Sequence, residues 1–196
     1  MIETLTHADR PEVVEVLGEA FRSHPMVPPD PRGKLEGWGA RLMMRTMLDA
    51  FDRAPDAQLF GVRRDGRLAC VAFVHAYGYD PSGLVIARMF WNMARVMGLR
   101  MLLQCMRVMG EKHPGDDPRL ELLILGTRVT CQGQGLGRAV MRHVYDYARQ
   151  HGHAAVTLEV AHDSPARGFY EREGFRLEKQ VPLAGETLSY MRRDLS

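Results

Sequence analysis

The chain has 196 residues and a mass of 22.2 kDa, with 45% hydrophobic and 26% charged residues. This is the profile of one soluble globular domain over residues 1–196, large enough to bury a core without disulfide or metal staples. Lys+Arg 26 against Asp+Glu 24 leaves a net charge of only +2, which argues against a highly basic nucleic-acid binder or a protein of anionic membranes.

Along the chain, Ile2 to Thr6 is a short strand candidate, and Thr6 with Asp9 resembles a capping box. The stripe Val13, Val14, Leu17, Ala20, Phe21 then gives an amphipathic helix. Four prolines place a loop over Ser23 to Arg32, and a helical pattern resumes from Leu35 to Phe51. Gln58 to Arg64 and Leu68 to Tyr77 are strands about an Asp65-Gly66 hairpin turn. A helix starts near Leu84 and runs to about Glu111, ended by the turn from His113 to Pro118. Leu120 to Val129 is a strand, Leu136 to Gln150 a helix and Ala154 to Val160 a strand. Ser164-Pro165 opens a short helix that stops at Gly174, and Phe175 to Val181 and Glu186 to Arg192 close the chain as strands.

The three cysteines, Cys70, Cys105 and Cys131, are odd in number and lack metal-ligand spacing. They point to a reduced, cytoplasmic protein without a metal. No basic segment followed by an apolar stretch opens the chain. The longest run free of Asp, Glu, Lys and Arg, Leu68 to Tyr79, is too short for a membrane helix of ~20 residues.

The informative segment is Gln132-Gly133-Gln134-Gly135-Leu136-Gly137-Arg138. It follows a strand and opens a helix. Glycines at alternate positions let backbone N–H groups converge, and with the helix N-terminus they make an anion site suited to a pyrophosphate. Arg138 can add a charged contact. Register excludes two better-known phosphate loops. A P-loop needs Gly-Lys-Ser/Thr, and a GxGxxG fingerprint from Gly133 needs Gly where Arg138 sits.

This loop, with Thr157-Leu158-Glu159-Val160 and Phe169-Tyr170-Glu171-Arg172-Glu173-Gly174-Phe175 downstream, resembles the GCN5-related N-acetyltransferase (GNAT) superfamily over about residues 119–176. The Pro-containing loop after Ala20-Phe21 and the His-Pro turn resemble a subgroup of small-molecule acetyltransferases. The resemblance implies an α/β GNAT fold, with a mixed, mostly antiparallel sheet of about seven strands, splayed between the fourth and fifth and flanked by helices. It also implies acetyl-CoA as co-substrate. The backbone of Leu125, Gly126 and Thr127 would pair with the pantetheine arm, and N–H groups from Gly133 to Arg138 would hold the pyrophosphate. Tyr170 aligns with the general acid that protonates the CoA thiolate.

Glu121 and Glu159, on the two splayed strands, are the candidates for general base, with His75, His113 and His162 behind them. Asp163 stands where relatives often carry an Asn that contacts pantetheine; an ionised Asp cannot donate, so Ser164 is the substitute expected there. Direct transfer needs no acyl-enzyme, so Cys131 is not expected to be a nucleophile. Met89, Met93, Met97 and Met101 form a stripe that reads first as core. It reads second as a wall of the acceptor pocket or a contact in a homodimer. The resulting expectation is direct acetyl transfer to a primary amine of a small molecule. The alternatives are a protein N-terminal or lysine acetyltransferase and a non-catalytic acyl-CoA sensor.

Overall fold

In the computed structural model of the chain, residues 1–22, 37–97, 103, 111, 113–183 and 186–195 are described. Strand β1, Ile2–Thr4, ends earlier than the pattern predicts, because Thr6 is drawn into the next element. The Asp9 carboxylate accepts hydrogen bonds from the Thr6 N–H and hydroxyl, both at 2.9 Å, and so fixes the start of the helical segment. Helix α1, Arg10–Ala20, carries Pro11 in its first turn and buries Val13, Val16 and Leu17 completely. Burial of each such side chain is worth about 1.5–3 kcal/mol.

Helix α2, Trp38–Phe51, starts later than Leu35. Gly37 precedes it at φ 74°, a left-handed conformation that a helix cannot include. The loop expected over Ser23 to Arg32 lies outside the described residues.

Strands β2, Gln58–Arg64, and β3, Arg67–Ala76, meet at Asp65-Gly66. Both turn residues have positive φ, 50° and 76°, as a tight hairpin of this hand requires. Helix α3, Gly83–Met97, follows; of the continuation expected to about Glu111, only Leu103, which is helical, and Glu111, which is not, belong to the described residues, and Met101 and Cys105 lie outside them. Met89 is buried at 4% exposure and the Asn92 side-chain amide donates to Thr46 Oγ1 of α2, so this part of the stripe faces inward.

Strand β4, Arg119–Thr127, ends two residues earlier than expected, because Val129–Cys131 coil into a 3₁₀ turn. Helix α4, Leu136–Gln150, strand β5, Ala155–Ala161, helix α5, Pro165–Arg172, and strands β6, Arg176–Leu183, and β7, Glu186–Asp194, complete the order.

The seven strands form one sheet, β1-β2-β3-β4-β5-β7-β6, antiparallel throughout except between β4 and β5. That parallel pair holds only at Arg119–Ala155, Leu120–Val156 and Glu121–Thr157. Past Glu121, β4 stays with β3 as far as Thr127, and β5 stays with β7 as far as Ala161. The two strands therefore diverge into a slot. At its start β4 carries a bulge, since Leu122 pairs with Val74 and Ile124 with Phe73, leaving Leu123 without a partner.

Each face of the sheet has its own core. Helices α4 and α5 cover one with Val140, Met141, Val144 and Tyr170 against Leu120, Leu122, Val156 and Leu158. Helices α1 and α2 cover the other with Val13, Leu17, Met44 and Leu48 against Val71, Phe73 and Ile124. No helix of the described residues is long and apolar enough to cross a membrane.

Candidate active site

The loop between β4 and α4 is braced from α1. Arg128 donates from Nε to the Leu68 carbonyl at 2.7 Å and pairs through Nη1 with Glu19 at 2.9 Å, while the Val129 N–H donates to the same Glu19 carboxylate. The Gln132 and Gln134 amides donate to the Thr127 and Thr130 carbonyls at 3.2 and 3.3 Å, folding the loop on itself. Gly133 and Gly135 have φ 75° and 76°, and a Cβ on either would meet nothing within 4 Å. Glycine is needed there for backbone conformation rather than for space.

Gly137 differs: its Cβ position lies 3.6 Å from the Phe169 ring, where α5 packs on α4. Leu136 is buried, and the N–H groups of the first α4 turn have no intrahelical acceptor. This cradle suits a pyrophosphate. Arg138 is already engaged, pairing through Nε at 2.7 Å with Glu173, whose side chain is 6% exposed.

The slot is lined on the β4 side by Leu125, half-buried against the α4 core, by Gly126 and by Thr127. A Cβ on Gly126 would lie 2.7 Å from Leu17 Cδ2 and 3.2 Å from Ala20 Cβ, so α1 sits directly on this strand. The Thr127 hydroxyl donates to Cys70 Sγ at 3.1 Å. Burial pushes the Cys70 thiol up to about 11, which keeps it protonated and inert.

Tyr170 lies on the α4 side of the slot, buried between Phe169 and Phe175 with ring centroids at 5.2 and 5.6 Å. Burial, with Tyr145 and Cys70 adding smaller effects, raises its phenol well above the ordinary value, so it carries its proton at neutral pH. Strand alternation sends Leu120, Leu122, Leu158 and Val160 to this face and Glu121, Thr157 and Glu159 to the other. The phenol and the two carboxylates therefore stand on opposite faces of the sheet.

Glu121 is the last β4 residue to pair with β5, and Glu159 sits two positions beyond its partner Thr157. Desolvation, with the Glu159 charge behind it, lifts the Glu121 carboxyl to about 8. The Glu159 side chain is exposed on this face, and desolvation by the protein around it lifts its carboxyl to about 7. Tyr190 and Lys179 hold it back from rising further. Tyr190 pairs with Glu159 across β5 and β7, and its buried hydroxyl favours the charged carboxylate. Lys179 places Nζ 4.6 Å from the Tyr190 ring centroid.

The sequence names His75 and His113 as candidates but not their surroundings. His113, expected in an open turn, is instead buried at 4% exposure. Its Nδ1 contacts Glu178 at 2.7 Å, its N–H donates to Tyr77 Oη, and its ring meets Tyr77 and Tyr190 edge to face. Among the described residues, five buried polar atoms on this face lack a hydrogen-bond partner: His75 Nε2, His113 Nε2, Arg119 Nη1, Thr157 Oγ1 and Tyr190 Oη. Buried polar atoms left unpaired in this way concentrate where ligand, water or protons are handled. The bulge at Leu123 was also missed, since the apolar run from Leu122 to Leu125 reads as an unbroken strand.

Away from this face, Asp163 is exposed and Ser164 caps α5, its hydroxyl accepting from the Ala166 N–H at 3.2 Å. The Ser164 hydroxyl keeps its own hydrogen to donate. His162 contacts Ser189 Oγ at 3.0 Å and Arg167 at 2.8–2.9 Å, rather than joining the carboxylates. Cys131 is a free, half-buried thiol.

The seven-stranded sheet splays between its parallel strands β4 and β5, and a glycine-rich loop leads from β4 into α4. The sequence profile of the acetyltransferase (GNAT) family matches residues 27–175, and the chain belongs to that family. Among solved structures, one of histone acetyltransferase HPA2 and related acetyltransferase from Corynebacterium glutamicum ATCC 13032 aligns with TM-score 0.70 at 21% identity, covering 100% of this chain and 96% of that one. The ribosomal-protein-S18-alanine N-acetyltransferase from Escherichia coli aligns at 0.58 and 18%, covering 100% and 94%. An N-acetyltransferase from Staphylococcus aureus Mu50 aligns at 0.60 and 11%, covering 100% and 98%. At these identities the likeness is one of fold. No curated protein matches the chain by sequence.

Proposed function

We propose that this protein is a single-domain, cytoplasmic N-acetyltransferase that moves an acetyl group directly from acetyl-CoA to a primary amine of a small molecule. The observation that carries the reading is the slot between β4 and β5, with the Tyr170 phenol on one face and the Glu121 and Glu159 carboxylates on the other. Pantetheine lies in the slot against Leu125, Gly126 and Thr127, and the cradle from Gln132 to Arg138 binds pyrophosphate. Asp163 and Ser164 flank the arm at the start of α5.

A carboxylate takes one proton from the substrate ammonium, and the neutral nitrogen attacks the thioester carbonyl. The carbon–sulfur bond breaks as Tyr170 gives its proton to sulfur. A second proton released from nitrogen restores the phenol. Two carboxyls tuned to about 8 and about 7 suit proton exchange at neutral pH. A third helix packed on α2 beside this face supports a covered pocket, and hence a small acceptor rather than an open peptide groove.

The test is thiol release from acetyl-CoA over a panel of primary amines. Tyr170→Phe lowers kcat by about a hundredfold or more while acetyl-CoA affinity holds. Unchanged turnover in that variant removes the acid assignment. Acetyl-CoA binding without release of CoA for any amine marks a sensor module, and turnover on peptides alone marks a protein acetyltransferase.

A further inference from the structure

Two carboxylates of similar chemistry stand on the same face, and the proposed reaction needs only one of them ionised. The difference between them lies behind Glu121. His75 pairs with Glu121 across β3 and β4, and its side chain is 1% exposed. Its ring is stacked on Phe51 of α2, with centroids 4.7 Å apart and planes 17° from parallel, so it cannot turn freely. Nδ1 lies 2.8 Å from the Ala76 carbonyl oxygen. A carbonyl only accepts, so Nδ1 carries the hydrogen, and in the neutral ring Nε2 carries a lone pair. That Nε2 is buried, has no hydrogen-bond partner, and lies 3.7 Å from Glu121 Oε2. An ionised Glu121 would leave two acceptors facing each other in a dry site; a protonated Glu121 can donate to the lone pair.

We propose that His75 is a positioning residue that holds a proton on Glu121, which leaves Glu159 as the carboxylate that takes the amine proton. This rests on the acetyltransferase reading given above. The other groups facing the pair favour the same division. Glu159 adds negative charge from β5, which opposes a second negative charge on Glu121. Arg119 stands over the Tyr77 ring, 5.2 Å from its centroid, and is tied to Asp117. On the far side, Lys179 of β6 and Tyr190 of β7 support a negative Glu159. Burial disfavours a charged imidazole, so His75 stays neutral. In the reaction the ammonium N–H bond breaks and an O–H bond forms on Glu159, while Glu121 keeps its proton throughout.

The deciding experiment has two arms. In the first, the side-chain carboxyl carbons of glutamate are labelled with ¹³C and titrated by NMR, which needs no substrate and no turnover. Glu121 is expected to be protonated at pH 7 in the native protein and to lose that proton at lower pH in His75→Phe, which keeps the ring stack but removes Nε2. An ionised Glu121 at pH 7, or a titration that ignores the substitution, overturns the proposal. In the second arm, Glu159→Gln lowers kcat/KM for the amine by about a hundredfold or more. Glu121→Gln, whose amide still donates to Nε2, costs about tenfold or less.

In His75→Phe, Glu121 ionises more readily and its charge opposes ionisation of Glu159. The acid limb of the kcat/KM profile then moves to higher pH, with activity at pH 6 about tenfold lower and the plateau retained. A uniform fall at all pH values, or a dead Glu121→Gln beside an active Glu159→Gln, overturns the proposal. If the native protein turns over no amine, the acetyltransferase reading fails, and the NMR arm alone decides whether His75 holds the proton on Glu121.

Discussion

Asp117→Asn puts the base of the slot to a quantitative test. Arg119 opens β4 at the point where that strand still pairs with β5, and its guanidinium is fully buried. Asp117 is its counter-ion, accepting from Arg119 Nη2 at 2.6 Å, and it also takes a two-pronged contact from Arg192 at 2.8 and 2.9 Å. Asparagine keeps the shape and removes the charge. Breaking a buried pair by removing one partner costs about 3–5 kcal/mol. Asp117 itself is about one-third exposed and Arg119 keeps its Tyr77 stack, so the expected loss is nearer about 2–3 kcal/mol.

The titration gives an independent measure. The Arg192 contact chiefly, with charge from Arg119 and Arg192, lowers the Asp117 carboxyl from 3.8 to about 2. That fall is worth about 2 kcal/mol, or between about 1 and 2 after solvent screening. Because the folded value is depressed, the contribution is complete above pH 3.8 and disappears as the pH falls towards 2. Urea unfolding of both proteins at pH 7 and at steps below pH 4 measures the gap. A difference within about 0.5 kcal/mol at pH 7, or one of unchanged size at pH 3, refutes the reasoning.

Three further outcomes are expected. Gly135→Ala forces a side chain into a left-handed position at a cost of about 1 kcal/mol, and acetyl-CoA binding by calorimetry weakens more than stability does, because the cradle backbone shifts. Gly126→Val drives a branched side chain into Leu17 and Ala20; overpacking of this kind costs about 1–3 kcal/mol, read as a lower urea midpoint. Cys131→Ala leaves turnover unchanged and pre-steady-state traces free of a burst; a covalent acyl-enzyme on sulfur would give the opposite result.

Much of the architecture is local and could be read in one dimension. The hairpin at Asp65-Gly66, the glycine cradle before α4 and the Ser164-Pro165 helix start each declare themselves within a few residues. What could not be read arises from pairing between distant segments. His75 and Glu121 meet only because the β3–β4 register aligns them, and that register itself turns on the bulge at Leu123. Four consecutive apolar residues carry no mark of where a ladder skips. His113 looks exposed beside Pro114, and only the arrival of Tyr77, Glu178 and Tyr190 buries it. The ion pair of Arg138 with Glu173, at the end of α5, is likewise a meeting of distant residues that the glycine loop does not announce.

The three-pair junction between β4 and β5 also bears on how this chain survives in a cell. Beyond it the sheet has an edge in its own middle, with backbone donors and acceptors from Leu122 onward facing no strand. Outer edges are guarded by charge, bulges or covering loops; this inner one must stay open to work. Any extended amide-bearing arm that enters serves as a temporary eighth strand, and its occupancy adds to folding stability by mass action, about 2.7 kcal/mol at a hundred times its dissociation constant. The melting temperature of this protein should therefore rise and fall with the supply of whatever fills the slot.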